Sequence, residues 1–174
     1  PSPSPAALAQ RQRRAWFVLD EGMAAIDNHP LTGKPASLIG IAEKGFATLR
    51  VRAVAQPGHS SMPPPETAVS TLAAAVTRIH SMPIERGLEG GPALPMMRAL
   101  SPDLPLLNRV AISNEWLFSP LLRQRMAGSP VAQALLGTTV APTMISGGVR
   151  PNVLPAEAIA MINFRIHQRD TAES

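Results

Sequence analysis

The sequence predicts an α+β fold, in which helices cover one face of an antiparallel sheet. Two segments, at 47–55 and 157–167, alternate apolar and polar side chains with the two-residue period of a half-buried strand. Between them, Val69, Leu72 and Ile79 fall at the spacing of an amphipathic helix. Domains built from such elements set their helices against one face of the sheet. Since 45% of the residues are hydrophobic but only 3% are aromatic, the predicted core is aliphatic and rich in alanine.

The first part of the chain carries two short apolar runs. Ala15–Leu19 is typical of a buried strand, and it ends in two carboxylates, Asp20 and Glu21. The run Ala36–Ala42 is followed by a turn-like Glu-Lys-Gly sequence and then by the alternating strand at 47–55. These last two segments are therefore predicted to form a hairpin.

Prolines and glycines divide the rest of the chain into further elements. A proline-rich loop at 56–65 precedes the helix, which we expect to begin near Glu66 and to end before Pro83. Residues 84–137 are expected to form an insert, irregular at first and then helical in short patches that Pro120 and Pro130 interrupt. The remaining predicted elements are an edge or bulged strand at 138–145 containing Pro142, a loop at 147–155, the strand at 157–167 and the start of a helix at 171–174.

The composition argues against two classes of partner. The net charge is +4, but apart from Arg11, Arg13 and Arg14 the basic residues are scattered, and no aromatic residues are interleaved with them. We therefore expect no nucleic-acid binding. No apolar run approaches the roughly 20 residues that a membrane span needs, so we expect no membrane partner. The absence of cysteine excludes disulfides and thiolate metal sites and leaves the cellular compartment undecided.

Four stretches together resemble one enzyme family. Their order and spacing are similar to those of the dinuclear-zinc exopeptidases and aminoacylases, above all the branch of carboxypeptidase S and the N-fatty-acyl-amino-acid hydrolases. The similarity extends from about Phe17 to Asp170, and it includes the insert motif Trp116–Phe118. The four stretches are 17–22 (FVLDEG), 57–64 (PGHSSMPP), 147–155 (GGVRPNVLP) and 162–166 (INFRI).

The resemblance implies an architecture and an assembly. It implies a ferredoxin-like lid that is inserted into a catalytic domain holding two zinc ions. Residues 1–42 would be the end of a catalytic-domain segment with a linker hairpin, and residues 43–174 would be the lid and dimerisation domain with the insert 84–137. The lid would be truncated after its third strand. We expect a homodimer formed through the lid's edge strand and helix, and contacts with the missing catalytic domain.

The resemblance also assigns roles to four residues. Asp20 would bind one zinc, and His59 would reach into the neighbouring subunit's active site to stabilise the oxyanion formed at an amide carbonyl. Asn152 would contact bound substrate, and Arg165 would bind the substrate's free carboxylate. On residue type alone each also admits a structural interpretation, as a solvated acid, a loop histidine, a turn-shaping asparagine or an exposed strand arginine.

The expected activity is hydrolysis of the amide bond of N-acyl amino acids or of C-terminal peptides, carried out by the complete enzyme. The family's His-x-Asp and Glu-Glu motifs, which supply further zinc ligands and the general base, do not occur in this sequence. A catalytic zinc needs about three protein ligands, so this chain alone is expected to hold no zinc and to be inactive. The alternative is a stand-alone ferredoxin-like interaction or ligand-binding module, because one fold serves many functions. The other histidines, at 29, 80 and 167, are expected at the surface or at helix ends.

Overall fold

The computed structural model describes residues 25–29 and 31–173 and divides the chain into two units after Gly40. In the first unit, β1 (Ala25–Ile26) pairs antiparallel with β2 (Ala36–Ser37). The hairpin predicted between 36–42 and 47–55 is therefore wrong, since β2 takes its partner from the preceding sequence. The predicted strand at 15–19 and the candidate zinc ligand Asp20 lie outside the described residues.

The second unit is built on an antiparallel sheet of three strands. They are β3 (Gly45–Val54), β5 (Thr139–Gly147) and β7 (Glu157–Ile166), in the order β3-β7-β5. Two shorter strands, β4 (Gly58–His59) and β6 (Val153–Leu154), pair with each other. The predicted α+β class is confirmed, and so are the two alternating strands, which become β3 and β7. The loops predicted at 56–65 and 147–155 each contain one of the short strands that the sequence did not indicate.

The helix α1 (Ala68–His80) covers one face of this sheet. Opposite residues in an antiparallel pair point to the same face, and the pairs Ala53 with Ala158 and Val51 with Ala160 put small side chains under the helix. Leu72 is buried against them. The helix begins two residues after the predicted Glu66 because Thr67 caps it. The Thr67 hydroxyl accepts from the Ser70 amide, and the Thr67 amide donates to the Ser70 hydroxyl.

The insert is helical throughout most of its length, with its own apolar core. Its elements are α2 (Ala93–Leu100), a 3₁₀ turn (Ser101–Asp103), α3 (Leu106–Ser113), α4 (Glu115–Met126) and α5 (Pro130–Leu136). The irregular structure expected over 84–104 is found only up to residue 92. From Ala93 onward the expectation is wrong, because Leu94 and Met97 of α2 are buried in that core. Pro120 lies inside α4 and does not end it, since Leu122 and Met126 beyond it pack on the same core. Pro130 begins α5, where its missing amide leaves no bond unmade.

The strand β5 lies at one edge of the sheet, as its proline predicted. The pairing with β7 shifts register between Pro142 and Met144, which makes Thr143 the extra residue of a bulge. At the other end of the unit, residues 172–173 form a turn in place of the predicted start of a helix. Among the described residues, no helix is both long enough and apolar enough to cross a membrane.

Candidate functional site

The short strands β4 and β6 bring two of the sequence-predicted residues together. His59 is opposite Val153 in the ladder, and Gly58 is opposite Leu154. One residue further, the Ser60 amide donates to the carbonyl oxygen of Asn152 at 3.1 Å. The pairing holds the backbones of His59 and Asn152 side by side at one end of the sheet. Both side chains are exposed, so both can reach a ligand.

The imidazole of His59 is oriented by its own loop. Its Nδ1 lies 2.8 Å from the hydroxyl oxygen of Ser61 and accepts a hydrogen bond from the Ser61 amide at 3.2 Å. The Met62 amide donates to the carbonyl oxygen of His59, which closes a turn. Among the described residues, none forms a hydrogen bond with Nε2 of His59. The ring therefore presents one nitrogen to the loop and the other to solvent.

Asn152 follows a tight turn in the glycine-rich loop. Gly148 has φ +73°, a left-handed conformation that favours glycine, and the Val153 amide donates to the Arg150 carbonyl at 3.4 Å. In the described part of the chain, no side chain or backbone group is bonded to the Asn152 amide group. That group carries both donors and an acceptor, so it can bind a carbonyl or a carboxylate.

Arg165 lies on the sheet face opposite α1, at the far end of β7. Its guanidinium carbon is 5.0 Å from the ring centroid of Phe46, the residue directly opposite it on β3. No acidic side chain among the described residues pairs with it, whereas Arg52 on the same face is paired with Glu157. An exposed guanidinium that is braced on an aromatic ring and has no carboxylate partner is suited to bind an anionic group.

The structure does not bring Arg165 to the other two residues. At a strand rise of about 3.3 Å per residue, the eight steps from Glu157 to Arg165 span about 26 Å. The backbones of His59 and Asn152 lie beyond the Glu157 end of β7, so they are roughly this far or farther from the backbone of Arg165. A small substrate cannot contact all three residues of a single chain.

A polar cluster at the base of the insert was missed from the sequence. His167 is 1% exposed, and its burial lowers its pKa, with the nearby Arg169 adding to the effect. Its amide donates to the Thr138 hydroxyl, and that hydroxyl in turn donates to Asp170 and lowers the pKa of this carboxyl. The expectation that His29 and His167 are surface or helix-end residues is wrong, because both are buried; His80, at the end of α1, is exposed.

Arg169 joins the two ends of the insert. Its Nη2 donates to the carbonyl oxygens of Glu85, at 2.8 Å, and Leu136, at 3.1 Å. His167 packs against Gly91 so closely that a Cβ there would lie 2.4 Å from Nε2, which explains the glycine. The cluster has a structural role, and no local sequence pattern predicts it because His167, Arg169 and Asp170 contact groups that are far from them in sequence.

The described residues contain no group of three or more His, Cys, Asp or Glu side chains placed to hold a metal ion. A catalytic zinc takes about three protein ligands, so the described part of the chain does not fit a zinc site by itself. Asp20, the candidate zinc ligand, cannot be placed because it is outside that part.

Two apolar features lie apart from His59 and Asn152. A cavity of about 570 Å³ opens beside α1 on the helix face of the sheet, between β3, β7 and the segment 82–85. On α4 of the insert, Trp116 is 77% exposed and Leu117 is 56% exposed, while Phe118 is half-buried. The three insert residues do not line that cavity.

Comparison with known proteins places the chain in a family. The family described as "Peptidase dimerisation domain" matches residues 41–174. The N-fatty-acyl-amino acid synthase/hydrolase PM20D1 of Bos taurus is 36% identical over 169 residues, which cover 97% of this chain and 34% of the relative. Its counterpart in Xenopus tropicalis is 40% identical over 159 residues, covering 90% of this chain and 31% of the relative. Carboxypeptidase S of Saccharomyces cerevisiae is 25% identical over 162 residues, which cover 87% of this chain and 27% of the relative.

The chain thus spans about a third of the length of these relatives. The relatives are the two kinds of enzyme whose motifs the four sequence stretches resemble, so the resemblance is confirmed. The matched segment contains the whole α+β unit, including the ladder that joins His59 to Asn152. The chain belongs to the M20 peptidase family and carries its dimerisation domain.

Proposed function

We propose that this chain is the lid of a zinc-dependent amidohydrolase or exopeptidase, and that it supplies residues which contact the substrate. The complete protein would hydrolyse the amide bond of N-acyl amino acids or of C-terminal peptides. The observation that carries the proposal is the pairing of β4 with β6, which sets the backbone of His59 next to that of Asn152 on an exposed edge. By itself the chain would be inactive, since it lacks most of the metal ligands and the general base.

The proposed roles follow from the chemistry of the three side chains. An amide carbonyl gains negative charge on its oxygen as it is attacked, and a fixed N–H donor stabilises that charge. His59 is proposed as this donor and Asn152 as a second contact to substrate. Arg165 is proposed to bind the free carboxylate that N-acyl amino acids and C-terminal peptides share, because a guanidinium can hold a carboxylate through two hydrogen bonds.

The proposed zinc site belongs to the complete protein. Zinc would lower the pKa of a bound water and polarise the scissile carbonyl. Asp20 is proposed as one of its ligands, with the other ligands coming from outside this chain. Within this chain, the proposed work is binding and orienting the substrate and stabilising its carbonyl oxygen.

The separation of Arg165 from His59 supports the proposal that two subunits share each substrate. Because the backbones of the two residues are roughly 26 Å or more apart in one chain, a substrate held by Arg165 of one subunit would meet His59 and Asn152 of its partner. The sheet edge offers a surface for such a dimer. On β5, Met144 is 68% exposed and Ile145 is 67% exposed, and Val69 of α1 is 44% exposed. A second copy that pairs along this edge would cover its backbone groups and these apolar side chains.

Co-expression of two variants of the complete protein tests the proposal. His59→Ala is expected to lower kcat by about 100- to 1,000-fold, as removal of an oxyanion donor does, and Arg165→Ala is expected to lower kcat/KM mainly through KM. Neither variant alone would be active at low substrate. If the two residues of one site come from different subunits, mixing the variants restores about a quarter of wild-type activity, since half the dimers are mixed and each has one intact site.

The matched control is His80→Ala, which removes an exposed histidine at the end of α1 and should leave the activity unchanged. Ile145→Lys, which places a charge on the proposed dimer edge, should abolish the recovery. If His59→Ala retains full activity, or if mixing restores none, the proposed sharing of the site is wrong. A complete gene without zinc-ligand motifs on both sides of this segment would instead favour the stand-alone binding module.

A further inference from the structure

Ser61 makes two contacts with one ring nitrogen of His59. Its amide donates to Nδ1 at 3.2 Å, and its hydroxyl oxygen lies 2.8 Å from the same nitrogen. A neutral imidazole carries a proton on one nitrogen and a lone pair on the other. Because a backbone amide can only donate, Nδ1 must be the nitrogen with the lone pair. The proton of the neutral ring is then on Nε2.

We infer that Ser61 is a positioning residue that holds His59 as the Nε2–H tautomer, with Nε2 directed away from the loop as the donor to substrate. This inference rests on the proposed function of His59. An oxyanion is stabilised by an N–H that points at it and is repelled by a lone pair in the same place. The tautomer therefore decides whether His59 helps or hinders, and the hydrogen bond to the other ring nitrogen sets it.

The same contacts fix the direction of the ring. The turn closed by the Met62 amide holds the backbone of residues 59–62, and the Ser61 contacts then restrict rotation of the imidazole about its side-chain bonds. A donor that is already oriented loses little further freedom when substrate arrives. Ser61 is adjacent to Ser60, whose hydroxyl forms no hydrogen bond among the described residues. This neighbouring serine provides a matched control.

The first measurement uses this chain, with nitrogen-15 NMR of the histidine rings at a pH where they are neutral. In wild type and in the control Ser60→Ala, we expect Nδ1 of His59 to show the resonance of an unprotonated ring nitrogen and Nε2 that of a protonated one. Ser61→Ala keeps the backbone amide but removes the shorter hydroxyl contact, so it should shift both resonances part of the way toward a mixture of tautomers; Ser61→Thr, which keeps a hydroxyl, should restore the pattern. A wild-type ring protonated at Nδ1, or a Ser61→Ala spectrum identical to wild type, overturns the inference.

The second measurement uses the complete protein and asks whether Ser61 acts through His59. Loss of one neutral hydrogen bond predicts that Ser61→Ala lowers kcat by about three- to tenfold with KM unchanged, and that Ser61→Thr recovers it. In the His59→Ala background the same substitution should have no further effect. An equal loss in that background means that Ser61 acts through some other group, and the inference fails. If His59→Ala is itself fully active, the proposed function fails, while the NMR spectra still decide whether Ser61 orients the ring.

Discussion

Among the described residues, Leu72 is the only large side chain in the buried cluster that joins α1 to the sheet, and replacing it with alanine gives the sharpest test of the fold. It is 1% exposed. The other buried residues of its cluster are all alanines, namely Ala53, Ala68, Ala158 and Ala160. Because its buried neighbours are small, the Leu72 side chain fills most of the space between α1 and the sheet. An alanine side chain has no rotamer that can swing into the space left by its removal.

The expected cost follows from this lack of relaxation. Leucine-to-alanine substitutions in cores cost about 2–5 kcal/mol, with the larger values where the cavity stays open. At Leu72 we expect the upper part of that range, about 3–5 kcal/mol, because only the partly buried Val51 and Val76 could move inward. For a chain of this size the loss should lower Tm by roughly 10 °C.

The assay is urea unfolding followed by circular dichroism, with thermal unfolding as a second readout. Leu107→Ala is the matched control, since Leu107 on α3 is 82% exposed and the same substitution there should change stability by less than about 0.5 kcal/mol. A cost below about 1.5 kcal/mol at Leu72 would refute the reasoning, because it would mean that the two layers can close over the missing side chain.

Two further predictions concern His167 and the bracing of Arg165. Burial lowers the pKa of His167 in the folded chain below the ordinary value of 6.5. Its contribution to stability is therefore full above pH 6.5. That contribution is lost as the pH falls below 6.5, because the unfolded chain then binds a proton that the folded chain does not bind. Urea unfolding between pH 8 and pH 5 should show this decline, and His167→Asn should flatten it; equal slopes in both proteins would contradict the burial argument. Phe46→Leu removes the ring beneath Arg165, a contact that contributes about 0.5–1 kcal/mol at an exposed site, and so should raise KM of the complete protein about two- to fivefold with little change in kcat. An unchanged KM would show that Arg165 needs no bracing.

The local sequence pattern was sufficient to predict an element where the alternation of side chains or a single proline fixes its structure. The alternation around Val51 and Ile162 predicted both long strands, because a strand between a helix and solvent must alternate. Pro142 predicted that β5 is an edge or a bulged strand, and it is both, since a residue without an amide donor cannot sit inside a regular ladder. The prediction that Pro120 interrupts a helix was wrong. The cost of a proline inside α4 is offset by the packing of Leu122 and Met126 on the insert core, which a rule based on neighbouring residues does not include.

For the candidate site, the sequence supplied the residues but not their arrangement in space. The sequence alone supplied His59, Asn152 and Arg165 through motifs similar to those of a known family, together with the chemistry that each side chain can perform. Their spacing along the chain does not reveal that β4 pairs with β6, because a two-residue ladder has no periodic signal. Nor does it reveal that Arg165 lies at the opposite end of β7 from the other two.

What the sequence determined by itself is therefore the class of fold, the long strands, the main helix and the side chains that we propose contact the substrate. What only the tertiary structure decided is which segments meet. It placed the backbone of His59 beside that of Asn152, set Ser61 against the imidazole, and buried His167 under Gly91. The physical reason is that composition and periodicity act over neighbouring residues, whereas these contacts join segments that come together only when the sheet closes.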